Sequence, residues 1–139
     1  MYLPALLLSL AITTLATPTP WNEIQWISKN ISLPKVMIYS AGGTILSSSN
    51  YSRLDNVNYG SGYRVTPEDI IGNASEVLDI AQLGIQTFPV VGGSSGLNSS
   101  LYLNISQYAN AQLCAEGSDI AGAIMFHGTN TLAETVSTI

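Results

Sequence analysis

The sequence predicts an α/β fold, a three-layer arrangement in which a mainly parallel sheet carries helices on its faces. Three observations lead there. Short β-branched apolar runs recur at residues 35–39, 85–91 and 120–126, each ending in a turn-forming or polar cluster. Between them lie segments with helix-start signals rather than hairpin turns. Strand, loop, helix, strand, helix, strand is the order of βαβ crossovers, which build parallel sheets with helices outside. Composition agrees with a packed domain. The 139 residues are 46% hydrophobic, enough to bury a core, and only 9% charged, against roughly 25% in ordinary soluble domains. Net charge is −5 with four Lys and Arg in all, too few cations to neutralise a run of phosphates, so a nucleic-acid partner is excluded.

Element by element, residues 3–16 form an apolar run ending in Thr14-Leu15-Ala16 and followed by Thr17-Pro18-Thr19-Pro20. The run is shorter than the ~20 residues of a membrane-spanning helix. It reads as a signal peptide over 1–16 with a small-x-small cleavage site, although no charged residue precedes it. The expectation is a chain exported to the extracellular space or cell wall, with no membrane association after cleavage. Residues 17–34 read as a leader or linker. The run KVMIY at 35–39 is a buried strand stopping at a glycine pair. Residues 40–62, rich in Ser, Asn and Gly without periodicity, read as a long loop of the kind that covers active sites.

Thr66-Pro67-Glu68-Asp69 opens a helix: Thr66 caps it, Pro67 takes the first helical position and the acids complement the dipole. This helix is expected to run weakly towards Ala81, weakened by Gly72. Residues 85–91 are the second strand. Residues 98–114 form a helix with Leu101, Ile105 and Tyr108 on one face, residues 120–126 (IAGAIMF) a third strand, and residues 129–139 the start of another helix. Three strands make a small doubly wound sheet, which suggests an incomplete N-terminal domain over 35–139. Ligands in such sheets lie beyond the carboxyl ends of the strands, where Thr44, Ser94 and His127-Gly128-Thr129 follow.

Five Asn-x-Ser sequons, at Asn30, Asn50, Asn73, Asn98 and Asn104, mark glycosylation sites on an exported chain, and attached glycans would solubilise a surface poor in charge. The single cysteine, Cys114, cannot form a disulfide within the chain and reads as a small buried hydrophobe. The lone His127 has no second His or Cys at ligand spacing, so it reads as a packed histidine and no metal is expected. No Gly-x-Gly-x-x-Gly or Walker pattern is present, and no cofactor is expected. Gly92-Gly93-Ser94-Ser95-Gly96 matches the nucleophile-elbow pattern, with Ser94, Asp119 and His127 in the order of a hydrolase triad. Asp119 and His127, however, flank one strand, which would hold them roughly 23 Å apart if fully extended. Capping alone would explain Thr129 and Asn130.

Two motifs separated by a βαβ unit, Gly42-Gly43-Thr44-Ile45 and His127-Gly128-Thr129-x-Thr131, resemble the signature motifs of the bacterial-type (type II) L-asparaginases and glutaminase-asparaginases. The resemblance spans about residues 35–139, in a secreted, fungal-like form of the N-terminal part. It implies an amidohydrolase that converts L-asparagine to L-aspartate and ammonia through a threonine nucleophile, with L-glutamine as a second substrate. By resemblance, Thr44 is the nucleophile, Tyr63 an aromatic lid residue assisting it, and Thr129 the second catalytic threonine. Asn130 stands where the family has an aspartate. Ser94, Ser95, Gly43 and Gly128 correspond to substrate-binding positions, and Ala41 replaces a threonine. The family's catalytic lysine falls beyond Ile139, and its full-length members form homo-oligomers. Two other readings compete: an inactive amino-acid-binding fragment or pseudoenzyme, and a serine esterase-like hydrolase centred on Ser94.

Overall fold

The computed structural model describes residues 21, 23–52, 54–55, 57–60 and 62–138. The signal peptide expected over 1–16 lies outside the described residues. Among the described residues four strands form one sheet: β1 (Gln25–Ile27), β2 (Lys35–Ser40), β3 (Gln82–Thr87) and β4 (Ile120–Phe126). Their spatial order is β1-β3-β2-β4. β2 lies parallel to β3 on one side and to β4 on the other, so the expected βαβ arrangement is present. β1 is the exception, pairing antiparallel with β3 through Trp26 opposite Gly84. It belongs to the 17–34 stretch expected to be a leader or linker. Its three residues are too short to announce a strand by period, and pairing with β3 supplies what local pattern does not.

The helices fill the two faces. α1 (Pro67–Asn73) starts with a complete capping box, Thr66 Oγ1 accepting from Asp69 N–H and the Asp69 carboxylate accepting from Thr66 N–H. Such a cap stabilises a helix by about 1 kcal/mol. The helix does not reach Ala81. It stops at Asn73, Ala74 leaves helical geometry (φ −131°, ψ 49°), and a tighter 3₁₀ segment, Ser75–Asp79, completes the crossover. Gly72, one residue before the end, has the high conformational entropy that makes this the weak point. α2 (Ser99–Leu113) is capped by Asn98, whose side chain accepts from Leu101 N–H, and α3 (Leu132–Thr138) follows β4.

Consecutive residues of β2 point to opposite faces. Met37 and Tyr39 pack with Phe88 and with Tyr102, Ile105, Tyr108 and Ala109 of α2. Ile38 packs on the other face with Leu83 and Ile85 of β3 and with Ile71, Leu78 and Ala81 from the α1 crossover. Leu101, expected on the buried face of α2, is only partly buried beside the first cluster. Within it the rings of Phe88 and Tyr108 meet edge to face, centroids 6.0 Å apart and planes at 87°, a favoured aromatic geometry.

β3 runs from 82 to 87, starting three residues and ending four residues before the 85–91 expected. Two polar residues interrupt its apolar pattern, and Gln82 hid its start. Gln82 is buried, its side-chain amide donating to the carbonyls of Ile31 (3.0 Å) and Leu33 (2.6 Å). Gln86 is fully buried and accepts from the Tyr108 hydroxyl at 2.9 Å. The far end stops because Phe88 N–H makes the last bond, to Ser40 O, and Pro89 has no N–H to continue.

Candidate active site at the carboxyl edge of the sheet

Three loops leave the carboxyl ends of β2, β3 and β4. The first leaves by Gly42 and Gly43, with φ of 74° and 92°. These left-handed values are open to glycine and strained for other residues. The pair reverses the chain, and Thr44, exposed, begins a 3₁₀ turn, Thr44–Leu46. Its root is tied to the neighbouring loop by Ala41 N–H donating to Phe126 O at 3.0 Å. Ala41 itself is buried in the α2-side core, an apolar setting that accommodates its lack of a hydroxyl.

The second loop turns at Gly92 (φ 82°) into a 3₁₀ segment, Gly93–Gly96, that carries Ser94 and Ser95. The third carries His127, Gly128, Thr129 and Asn130. Asn130 Nδ2 donates to Ser95 Oγ at 2.6 Å and joins these two loops directly. Thr129, Asn130 and Ser95 are exposed, while Gly128 is buried. Thr44, Ser95, Thr129 and Asn130 therefore all sit on loops leaving the same edge of the sheet, as the parallel-sheet reading expects.

The helix expected from 129 begins only at Leu132, so Thr129 and Asn130 lie in the turn before it. His127 is buried, with Nδ1 against Gly128 O and Nε2 2.7 Å from the hydroxyl of Thr135. A carbonyl only accepts, which places a proton on Nδ1, while the single proton of the Thr135 hydroxyl serves either Nε2 or Thr131 O, 2.9 Å away. The ring is a satisfied strut between β4 and α3, matching its reading as a packed histidine. Asp119 lies at the opposite end of β4, where its carboxylate binds Lys35 Nζ at 2.6 Å. That bond holds its carboxyl below the usual carboxylate range. The Ser94-Asp119-His127 triad is not assembled, because β4 runs between Asp119 and His127. Cys114, read as a buried hydrophobe, is exposed. It caps the carboxyl end of α2, where the chain turns away from the core.

Tyr63 stands at the end of the long loop and is 73% exposed. Its surroundings are ordered by bonds that sequence reasoning did not find. Ser48 Oγ donates to Tyr63 O at 2.6 Å, Val65 N–H donates to Leu46 O at 2.9 Å, and Gly62 N–H donates to Ser48 O at 2.9 Å. Arg64 reaches back to the glycine pair, its Nη1 donating to Gly43 O at 3.0 Å. The one available signal was a cation beside Tyr63 in a chain with so few. Tyr63 faces a cavity of about 550 Å³ on the α1 side of the loop, lined also by Asp55 and Asn73. None of Thr44, Ser95, Thr129 or Asn130 lines it.

Residues 35–139 match the family model described as Asparaginase, N-terminal. The chain belongs to the asparaginase family. Among relatives, it is 33% identical to L-asparaginase 2-3 of Saccharomyces cerevisiae over 135 residues, covering 96% of this chain and 34% of the relative. It is 31% identical to L-asparaginase 2 of Bacillus subtilis over 108 residues, 78% of this chain and 28% of the relative. A crystal structure of a probable cytoplasmic L-asparaginase from Campylobacter jejuni superposes with a TM-score of 0.57 at 25% identity, covering 73% of this chain and 29% of that one. The chain spans about a third of the length of the curated relatives it matches.

Proposed function

We propose that residues 35–139 supply the nucleophile-bearing part of a type II asparaginase site that hydrolyses L-asparagine, and L-glutamine as a second amide. The observation that carries this reading is the Asn130–Ser95 bond of 2.6 Å, which couples the β3 and β4 loops at the same sheet edge where the Gly42-Gly43 turn presents Thr44. Thr44 Oγ attacks the side-chain carboxamide carbon. The C–N bond breaks, the nitrogen leaves as ammonia with the hydroxyl proton, and water then cleaves the ester to aspartate, restoring Thr44. A threonine hydroxyl needs a neighbouring group to accept its proton. Tyr63 and Thr129 are the assigned helpers, with the lysine implied by the family resemblance coming from sequence after Ile139. Ser94, Ser95, Gly43 and Gly128 provide hydroxyl and backbone donors for the substrate's carboxylate and the developing oxyanion. In the full-length protein these sites sit in a homo-oligomer. The same proposal takes residues 1–16 as a signal peptide, the protein as secreted to the cell exterior or wall, and the sequons as glycan acceptors.

Asn130 favours a second reading, an inactive amino-acid-binding module. Its Nδ2 is committed to Ser95, and its neutral amide offers no charge to the substrate ammonium. Ammonia release from L-asparagine decides between these readings. We expect little from the chain alone and measurable release once it is joined to a downstream asparaginase half. Asn130→Asp raises that release and Thr44→Ala abolishes it. Activity that survives Thr44→Ala and disappears with Ser94→Ala would make the protein a serine hydrolase. Aspartate binding without release in every form would establish the binding module.

A further inference from the structure

The cavity beside Tyr63 is lined by the far part of the loop leaving β2 and by none of Thr44, Ser95, Thr129 or Asn130, and its walls have a chemistry of their own. At about 550 Å³ it falls within the 300–1,000 Å³ range of small-molecule sites. Its lining includes the serines Ser47 and Ser49, the carboxylates Asp55 and Asp69, and the tyrosines Tyr59 and Tyr63. Asp55 is rigidly held: Oδ1 accepts from the backbone N–H groups of Val57 and Asn58, and Oδ2 from Ser49 Oγ and Asn58 Nδ2. With the Asp55 carboxylate occupied in holding the loop, serine hydroxyls match the hydroxyl groups of a sugar, and tyrosine rings match its apolar C–H face.

The lining also includes Asn73, the acceptor of the Asn73-Ala74-Ser75 sequon, exposed at the last position of α1. We propose that this cavity seats the first sugar of an N-linked glycan on Asn73, bracing the lid segment 47–65 against α1. The inference rests on the secretory reading above. The transfer joins Asn73 Nδ2 to the anomeric carbon of a lipid-diphosphate-linked oligosaccharide. The lipid diphosphate leaves and Nδ2 gives up one proton. Nδ2 now donates to Asp69 O at 2.8 Å, and the glycosylated nitrogen keeps one N–H for that bond. Of the five sequon asparagines only Asn73 lines the cavity; Asn50 lies on the lid itself, and its glycan is the same in every variant compared below.

The test is expression of the chain in a eukaryotic secretory host, glycopeptide mass spectrometry, and timed chymotrypsin digestion at Tyr51, Tyr59 and Tyr63. We expect Asn73 to be occupied and lid cleavage to be several-fold slower than in Ser75→Ala, which removes the acceptor signal but keeps Asn73. Ser75→Thr, which keeps the signal, preserves the protection. Endoglycosidase trimming to a single sugar also preserves it, because the seat is for the first residue. An unoccupied Asn73 beside occupied sequons elsewhere, or equal cleavage with and without its glycan, overturns the proposal and leaves the asparaginase reading untouched. A chain bare at every sequon overturns the secretory reading with it.

Discussion

Asn130 and Asp55 show how single side chains divide the labour of the site and its lid. Asn130 presents a neutral amide whose Nδ2 makes a short bond to Ser95 and joins two loops. Asp55 keeps its charge and uses it to hold the lid. The N–H and side-chain amide of Asn58, with further help from Val57 N–H and Ser49, lower its pKa from 3.8 to about 2. Because the folded value lies below the unfolded one, the carboxylate's contribution is complete above pH 3.8 and fades as pH falls towards 2. Pepsin cleavage within 47–65, normalised to an unstructured peptide, is therefore expected to accelerate between pH 4 and pH 2. A flat profile would show that the lid does not depend on this carboxylate. Tyr39 moves the other way: burial first, and the nearby Tyr108 second, push its hydroxyl up to about 12. It stays neutral inside the aromatic cluster at any working pH.

Among the elements, β3 and the lid depend on contacts that local pattern does not encode. Gln82 begins β3 and gathers the carbonyls of Ile31 and Leu33, so it fastens the segment between β1 and β2 to the sheet. Gln82→Ala leaves both carbonyls without this donor and is expected to lower stability by about 1–3 kcal/mol, read from the urea midpoint of the chain. An unchanged midpoint would show that the two bonds are replaced by water without loss. The lid closes tightly at Gly62, where an added Cβ would lie 2.8 Å from both the carbonyl carbon and oxygen of Ser48. Those are backbone atoms and cannot swing aside. Gly62→Ala should detach the Gly62–Ser48 bond and speed proteolysis at Tyr59 and Tyr63, while the α2-side core keeps its aromatic circular dichroism.

At the scale of the molecule, β4 is a sheet edge. Among the described residues it pairs with β2 alone, and Ala121, Ala123 and Ile124 are exposed, Ile124 at 49%. An apolar strand with an open edge is a template for pairing with another chain. The chain by itself is expected to self-associate with rising concentration in sedimentation velocity, and Ile124→Lys is expected to shift it towards the monomer. Equal sedimentation of the two forms would mean that the edge is already protected. The low surface charge, −5 over 139 residues, offers only weak repulsion against this association.

Much of this was legible in the sequence. The α/β class, β2 and β4, the capped start of α1, the extent of α2 to within a residue at each end and the glycine pair before Thr44 follow from apolar period, capping chemistry and turn residues, all of which act over a few neighbouring positions. The tertiary structure alone decided the rest. Three residues, Gln25–Ile27, became a strand because β3 lay ready to pair with them. Gln82 and Gln86 entered the sheet because the Ile31 and Leu33 carbonyls and the Tyr108 hydroxyl satisfy them there. Asn130 met Ser95 across 35 residues, and Arg64 met Gly43 across 21. A hydrogen bond between distant segments leaves no period in the chain, since its partner exists only once the sheet has brought the two loops together.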